Sequence, residues 1–190
     1  MKTEATAAGH TKLWRSAFLR YVKKHFLEKF GHWEINMIIG QKSGKDDVLL
    51  TLLERKTRDF SIIRLPYKSA DSVLDALRKI QSELGDYFSK VFRTITTANG
   101  SEFERLTELE TGTSTKVYFT HPYTSCEKES VENHNGMIRR FIPKGKMISD
   151  YDDDDILAVE LWMNSLSRKI LGYNTPDEAF EAEMDALYTI

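Results

Sequence analysis

Three short segments near the middle of the chain carry the residues whose types and spacing suit chemistry on phosphate groups. Residues 93–103 form an apolar, threonine-rich strand pattern that ends in an Asn-Gly dipeptide, which is typical of a tight turn. Residues 116–123 predict a second short strand, and residues 125–136 begin a helix that carries Glu132. A strand end, a strand and a helix with a carboxylate make a frame for metal-dependent phosphate chemistry. At the strand end, however, the position where a carboxylate is needed holds Ala98.

Five blocks of the sequence form a wider pattern with a fixed order. They are GHWEINMIIG at 31–40, ITTANGSEF at 95–103, ENHNG at 132–136, FIPKG at 141–145 and LGYNTPDEAF at 171–180. Together they resemble the catalytic core of bacterial insertion-sequence transposases of the retroviral-integrase superfamily. Any one block is weak evidence, whereas five blocks in the family's order and spacing are specific. The resemblance implies an RNase H-like fold, DNA as the partner, and a function in cutting and joining DNA strands.

The resemblance also implies which residues occupy the family's catalytic triad of Asp, Asp and Glu. Carried over by position, the triad falls on Asn36, Ala98 and Glu132, with 33 residues between the last two. Two of the three carboxylates are therefore absent. Deliberate substitution to trap a bound state would produce this change, and so would natural loss in a decayed or domesticated transposase. The sequence does not separate these two histories.

Metal binding at these positions is expected to be weak or absent. The resemblance implies two divalent cations, Mg²⁺ or Mn²⁺, held by oxygen ligands about 3.5–4 Å apart. Glu132 is the main candidate ligand and Asn36 a weak one, because Asn36 offers one neutral oxygen and Ala98 offers none. One carboxylate does not offset the repulsion and dehydration of two dications, so we expect the chain as written not to cut or join DNA. Further carboxylates that could lie nearby, without replacing position 98, are Glu34, Glu102, Glu127 and Glu129.

Positive charge is concentrated in two segments, although the formal net charge is −2. Residues 1–30 contain seven Lys and Arg against two acids. Basic segments on both sides of the candidate site suit the DNA backbone, although charge alone also fits solvated surfaces. Residues 137–149 contain no acid and four predicted phosphate contacts: Arg139, Arg140, Lys144 and Lys146.

The composition indicates a globular protein with its own core. The chain has 190 residues, of which 41% are hydrophobic. Its single cysteine, Cys126, excludes an internal disulfide and suits a reducing cytosol. No apolar run approaches the length that spans a bilayer. We therefore expect a cytoplasmic protein without membrane contact, and we also expect a homo-oligomer.

The strand pattern predicts an α/β fold with a mixed five-stranded sheet flanked by helices. Residues 33–65 contain three strand patterns with short links, which indicate an antiparallel meander. The period of two puts Glu34, Asn36 and Ile38 on one face of the first strand. A helix over residues 69–84 precedes the two further strands. This order agrees with the RNase H-like arrangement that the resemblance implies.

Helix boundaries are predicted from capping residues. Ser101 and Glu104 form a capping box for a short helix after the Asn-Gly turn. The acidic run at residues 152–155 is interpreted as a helix N-terminus rather than a metal site. We expect the helix that follows to extend over residues 156–170, and a last helix to begin at Thr175.

The first 30 residues are predicted to be a tail followed by an amphipathic helix. Apolar residues recur at helical spacing from Leu13 to Phe26, with basic residues between them. This helix would be either the remnant of a linker to a DNA-binding domain or a helix packed on the core or on a partner subunit. Residues 31–190 would form the catalytic core with its C-terminal helices.

Two functional interpretations remain open at the level of sequence. The leading one is a transposase or integrase core for DNA cleavage and strand transfer, inactive because of Asn36 and Ala98. The alternative is a non-catalytic module that binds DNA or dimerises, regulates transposition or has been recruited elsewhere. Metal-dependent turnover would favour the first, and salt-sensitive DNA binding without turnover would favour the second. We expect His134 to lie at the surface, close to DNA, rather than to act as a ligand.

Overall fold

The computed structural model describes residues 29–41, 46–120 and 129–189, without the side chains of 129–132. The amphipathic helix predicted within the first 30 residues lies almost wholly outside these described residues. The strands are β1 (His32–Ile39), β2 (Val48–Glu54), β3 (Phe60–Leu65), β4 (Thr94–Thr97) and β5 (Lys116–Phe119). The α-helices are α1 (Ala70–Leu84), α2 (Phe88–Val91), α3 (Glu129–Ile138), α4 (Asp153–Asn164) and α5 (Pro176–Tyr188). Short 3-10 helices cover Gly85–Tyr87, Ser101–Glu110, Ile148–Asp150 and Lys169–Leu171.

The five strands form one mixed sheet in the order β3-β2-β1-β4-β5. β1, β2 and β3 are antiparallel neighbours joined by short links, whereas β4 and β5 run parallel to β1. Because a parallel strand needs a crossover, helices α1 and α2 lie between β3 and β4 in the chain. The predicted α/β class and the meander plus two strands are confirmed.

One face of the sheet carries the larger hydrophobic core. Alternate strand residues such as Ile35, Leu52 and Ile95 point into it, and they pack against α1, α2 and the 3-10 helix Ser101–Glu110. Trp33 lies at its edge and stacks on Phe92 with ring centroids 4.6 Å apart. Helix α5 covers this same face through a stripe of partly buried residues, Phe180, Met184 and Leu187.

The opposite face carries a second core between the sheet and helices α3 and α4. Ile38, Leu49 and Phe60 project into it from three neighbouring strands. The alternation along β1 therefore gives Asn36 the same face as Ile38, as the sequence predicts. None of the described helices is both long and apolar enough to cross a membrane.

Helix α4 lies along the outer edge of β3. Side chains of α4 form hydrogen bonds with the backbone of that strand. The amide of Asn164 accepts from the N–H of Phe60 at 3.0 Å and donates to the Phe60 carbonyl at 2.9 Å. The carboxylate of Glu160 accepts from the N–H of Ile62. An exposed strand edge would otherwise be open to pairing with another chain. The side chains of α4 thus bind backbone groups of β3 that a sixth strand would otherwise pair with.

The predicted helix starts are partly confirmed. Ser69 caps α1, and Asp152 and Thr175 each form a capping box at the start of α4 and α5. The predicted capping box at Ser101 is wrong, because Gly100 occupies the N-cap without a side-chain hydrogen bond and a 3-10 helix follows. The predicted helix over 156–170 is too long, because α4 ends at Asn164.

Candidate functional site

The register of β1 and β4 brings two of the sequence-predicted site residues to neighbouring strands. The last paired positions of these parallel strands are Glu34 and Thr96. Two residues further along each strand lie Asn36 and Ala98. Both are half-buried. Position 36 therefore lies in the middle of β1, and position 98 directly follows the end of the neighbouring strand β4.

Asn36 is held by local hydrogen bonds rather than by a charged partner. Its side-chain oxygen accepts from the backbone N–H of Met37 at 2.9 Å. Its backbone carbonyl accepts from the hydroxyl of Thr51 on β2 at 3.2 Å. A neutral amide oxygen that already accepts one hydrogen bond is a weaker cation ligand than a carboxylate would be.

Ala98 lies directly after β4, where the strand gives way to the Asn-Gly turn. Its methyl group packs against the larger hydrophobic core. At Gly100 a Cβ atom would stand 2.7 Å from the carboxylate of Glu102, a contact that a shift of this flexible side chain would relieve. Glu102 in turn pairs with Lys68 at 3.3 Å. The turn thus places the Glu102–Lys68 ion pair four residues after Ala98.

Helix α3, which carries Glu132, is fixed to the sheet by His134 and Asn135, two and three residues after that candidate ligand. The side-chain oxygen of Asn135 accepts from the hydroxyl of Thr51 at 3.2 Å. His134 is 6% exposed and stacks on Phe60, with ring centroids 5.2 Å apart. The expectation that His134 lies at the surface is wrong, because α3 turns this ring into the second core.

The other candidate carboxylates have different roles or lie outside the described side chains. Glu34 is buried and pairs with Arg55, whose Nε lies 3.1 Å from its carboxylate. Glu127 and the side chain of Glu129 are not among the described groups. Within the described ranges, no group of three or more His, Cys, Asp or Glu side chains is placed to hold a metal ion.

The four cations predicted to contact phosphates differ in their exposure. The guanidinium of Arg139 is partly buried and donates to the carbonyl of Ile39 at 2.8 Å, so it joins α3 to the end of β1. Burial lowers its pKa. Arg140, Lys144 and Lys146 are all exposed. The structure thus brings three exposed cations together on the loop that follows α3, while Arg139 also has a packing role.

Asp46 holds that basic loop against the sheet, a role that the sequence pattern did not reveal. Its carboxylate accepts from the backbone N–H groups of Ile148 at 2.8 Å and Ser149 at 3.1 Å. Burial opposes its ionisation, but these hydrogen bonds outweigh burial and lower the pKa of Asp46. The loop also donates from the N–H of Gly145 to the carbonyl of Gly40. Acidic residues near turns usually lie in solvent, so nothing in the sequence marks this one.

A second missed residue, Glu54, organises the opposite end of the sheet. Its buried carboxylate accepts from the backbone N–H groups of Gly31, His32, Lys56 and Thr57, and from the Thr57 hydroxyl. These bonds tie the start of β1 to the turn between β2 and β3. Burial nevertheless raises the pKa of Glu54 above its ordinary value. The carboxylate is thus used for structure, away from positions 36 and 98.

Comparisons with known proteins give the chain its relatives. No family model matches it. It is 38% identical over 158 residues to the transposase for insertion sequence element IS4351 of Bacteroides fragilis. It is 33% identical over 160 residues to the probable transposase for IS1161 of Streptococcus salivarius, and 33% over 151 residues to the transposase InsI for IS30A of Escherichia coli K12. These matches cover 80–83% of this chain but only 38–45% of the relatives, so the chain spans less than half of their length.

The fold has a counterpart among solved structures. The chain matches a cryoEM structure of a simian T-cell lymphotropic virus intasome in complex with PP2A regulatory subunit B56 gamma, with a TM-score of 0.58. The match covers 74% of this chain and 50% of the other, at 16% identity, so it speaks for the fold alone. Over about four-fifths of its length the chain is therefore similar to part of several bacterial insertion-sequence transposases, and it has an RNase H-like α/β fold.

Proposed function

We propose that residues 31–190 are a transposase-type catalytic core that keeps the frame for cleaving and transferring DNA strands but lacks two of its metal ligands. The observation that supports this proposal is the parallel register of β1 and β4, which pairs Glu34 with Thr96 and so puts Asn36 and Ala98 each two residues beyond the last pair. Helix α3, which carries Glu132, packs against β1 and β2 beside them. The names of the relatives, all transposases, support the same reaction class.

The oxygen donors at these three positions do not fit a pair of divalent cations. Asn36 is neutral, and its side-chain oxygen is already hydrogen-bonded to the N–H of Met37. The methyl group of Ala98 offers no ligand and contacts apolar side chains. Two hard cations held close together need several carboxylate oxygens between them. We infer that the chain as written neither cuts nor joins DNA.

The test is nicking of supercoiled plasmid in the presence of Mn²⁺. The chain as written is compared with the double variant Asn36→Asp/Ala98→Asp, which restores both carboxylates. We expect nicking by the double variant and none by the original chain. The matched control adds Glu132→Gln to the double variant, and this triple variant should lose the activity again. A contaminating nuclease would persist in all three preparations.

Two results would count against this proposal. Nicking by the chain as written would mean that other oxygens bind the metal and that Asn36 and Ala98 do not silence the site. Failure of the double variant to nick DNA, while it remains folded and binds DNA, would mean that the frame itself is not competent. Homo-oligomerisation also stays a prediction from the sequence, and sedimentation equilibrium of the chain tests it.

The non-catalytic alternative, a DNA-binding module, is favoured by one specific observation. Arg140, Lys144 and Lys146 are exposed on a loop that the Asp46 carboxylate holds in place. Exposed cations on a fixed loop suit the regularly spaced phosphates of a duplex. This binding would need neither Asn36 nor Ala98, so it is compatible with a silent catalytic frame.

DNA affinity measured at several salt concentrations tests the alternative. We expect the double variant Lys144→Gln/Lys146→Gln to bind DNA more weakly, and the slope of log K against log salt to decrease by about 2, because each phosphate contact contributes about 0.9. Lys169→Gln is the matched control, since Lys169 is an exposed cation outside this loop. An equal loss from both variants would mean that the loop has no special role.

A further inference from the structure

An aromatic side chain is exposed in the basic loop, residues 139–147. Phe141 is 42% exposed, whereas Ile138 and Ile142 on either side of it are almost fully buried in the second core. Single exposed apolar residues are common on protein surfaces and need no function. Phe141 is not single, because Met147 in the same loop is 36% exposed as well. The loop therefore presents apolar surface together with its cations.

The ring of Phe141 is held by a second aromatic ring. It packs against Trp162 of helix α4 in a T-shaped pair, with ring centroids 5.0 Å apart and an angle of 66° between the planes. Its backbone N–H donates to the carbonyl of Ile138 at 2.9 Å. Both contacts restrict the side chain while part of the ring stays in solvent. A group that is already ordered loses little further entropy when it binds a partner.

The backbone of the basic loop is anchored on both sides of this ring. Before it, the guanidinium of Arg139 donates to the carbonyl of Ile39 at 2.8 Å. After it, the N–H of Gly145 donates to the carbonyl of Gly40 at 3.3 Å. The Asp46 carboxylate then holds the chain directly after the loop. These contacts fix the loop to the end of β1 without any ligand.

The charged residues of the loop are all cations. Arg140 directly precedes the exposed ring, and Lys144 and Lys146 follow it at three and five residues; all three are exposed. Residues 137–149 contain no acid. Cations beside an exposed aromatic ring suit a partner that offers both phosphates and flat apolar faces.

An intact DNA duplex offers only one of these two features. Its phosphates are accessible, but the faces of its bases are stacked on one another, and only the base edges reach the grooves. The exposed ring of Phe141 therefore gains no stacking partner from a continuous duplex. An unpaired base presents its face, and aromatic side chains stack on such faces whatever the sequence.

We propose that Phe141 stacks on an unpaired DNA base while Arg140, Lys144 and Lys146 bind neighbouring phosphates. The basic loop then prefers a DNA end or a distorted site with unpaired bases over a continuous duplex. This inference rests on the DNA binding proposed above for the loop and adds which form of DNA the loop selects.

Two DNA probes that differ only in their bases test the proposal with the full chain. One is a duplex with a short single-stranded overhang, and the other has the same overhang built from abasic nucleotides, so that the number of phosphates is equal. We expect about tenfold tighter binding of the overhang that carries bases, measured by fluorescence anisotropy, because one base–aromatic stack has an effect of this order. Equal affinities of the original chain for the two probes would overturn the proposal.

Variants at position 141 connect this preference to the ring. Phe141→Leu keeps an apolar side chain against Trp162 but removes the flat ring, so it should bind both probes equally. Phe141→Tyr should keep the preference. Tyr173→Leu is the matched control, since Tyr173 is an aromatic residue outside the loop with 71% exposure, and it should keep the preference as well. Retention of the preference by Phe141→Leu, or its loss in Tyr173→Leu, would contradict the assigned role of Phe141.

A third comparison separates this inference from the proposed DNA binding itself. Lys144→Gln/Lys146→Gln should weaken binding of both probes by the same factor and leave their ratio unchanged. If this variant bound both probes as tightly as the original chain, the phosphate contacts would be wrong, whereas equal binding of the two probes by the original chain would overturn only the stacking. Cations with apolar side chains also suit an anionic membrane surface. Binding to vesicles of anionic phospholipid without binding to either DNA probe would overturn the proposal in favour of a membrane.

Discussion

The hydroxyl group of Thr51 lies 3.2 Å from the side-chain oxygen of Asn135 and joins the middle strand of the meander to helix α3. The same hydroxyl lies 3.2 Å from the backbone oxygen of Asn36. One buried threonine thus contacts the strand of one candidate site residue and the helix of another, Glu132. The relative position of β1 and α3 depends on this shared hydroxyl.

The first prediction concerns that hydroxyl. Thr51→Val should lower the free energy of unfolding by about 1 kcal/mol, because the buried side chain loses a hydroxyl whose one proton is shared between two acceptors. Urea unfolding measures the change. Thr97→Val is the matched control, since Thr97 is equally buried but its hydroxyl has no partner among the described residues. The control should be neutral or stabilising, and equal losses from both variants would contradict the assigned role of Thr51.

The second prediction concerns the covered edge of β3. Asn164→Leu should lower the free energy of unfolding by about 2–4 kcal/mol, because it leaves both the N–H and the carbonyl of Phe60 unpaired at a buried position. It should also promote aggregation at high protein concentration, since the strand edge becomes accessible. Light scattering and urea unfolding measure these effects. Ser165→Ala, one residue later and exposed, should change neither.

The third prediction contrasts two glycines near the candidate site. A Cβ atom at Gly40 would lie 2.4 Å from the carbonyl oxygen of Lys146, so Gly40→Ala should displace the basic loop and cost about 1–3 kcal/mol of stability. At Gly136, within α3, a Cβ atom would meet nothing within 4 Å. Gly136→Ala should therefore stabilise the protein by about 0.5–1 kcal/mol. Similar effects of the two substitutions on thermal unfolding would refute this account of the loop.

The fourth prediction concerns pH. Burial, together with the nearby carboxylates of Asp177 and Glu160, raises the pKa of Asp59 to about 7. Between about pH 4 and pH 7 the folded protein then keeps a proton that the unfolded chain has lost. Stability from Asp59 therefore falls as pH rises through this window, by up to about 1.4 kcal/mol per pH unit. Burial raises the pKa of Glu54 and Glu160 as well, and these groups act in the same direction.

His32 has the opposite effect over nearly the same window. Burial and the neighbouring cation Arg55 lower the pKa of His32 from 6.5 to about 4. The unfolded chain then takes up a proton below pH 6.5 that the folded protein does not bind, so stability from His32 rises with pH between about 4 and 6.5. Urea unfolding at several pH values separates the two groups. Asp59→Asn should make stability rise more steeply with pH, and His32→Asn should make it fall; curves parallel to the original chain would contradict both assignments.

Much of the fold follows from local patterns that tertiary contacts do not override. Three consecutive strand patterns with short links indicate antiparallel neighbours, so the meander could be predicted. The caps at Ser69, Asp152 and Thr175 are short-range hydrogen bonds within four residues, and the sequence contains both partners. Such features depend little on what packs elsewhere.

The errors arise where distant residues decide the outcome. His134 is buried because Phe60, far away in the sequence, presents a ring to it. Helix α4 ends at Asn164, whose amide binds the backbone of β3, and Leu161 within this helix is 54% exposed rather than part of a buried stripe. At Ser101 the acidic neighbour Glu102 pairs with Lys68, and no side chain caps the 3-10 helix that follows. None of these partners has a signal in the local sequence.

For the candidate site, the sequence indicated the three positions, and the strand register adds only that two of them lie on or directly after neighbouring strands. The anchoring of the basic loop by Asp46, and of the opposite end of the sheet by Glu54, could not be predicted. A carboxylate that accepts several backbone N–H groups looks the same in a sequence as one exposed to solvent. What distinguishes them is the approach of segments that are far apart in the chain.

Calorimetric titration with Mn²⁺ tests the central claim most directly, because it measures the ligand set without requiring DNA or turnover. We predict that the chain as written binds no pair of Mn²⁺ ions, that Asn36→Asp/Ala98→Asp binds two, and that adding Glu132→Gln to this double variant weakens binding again. Binding of two ions by the original chain, with an affinity equal to that of the double variant, would contradict the account.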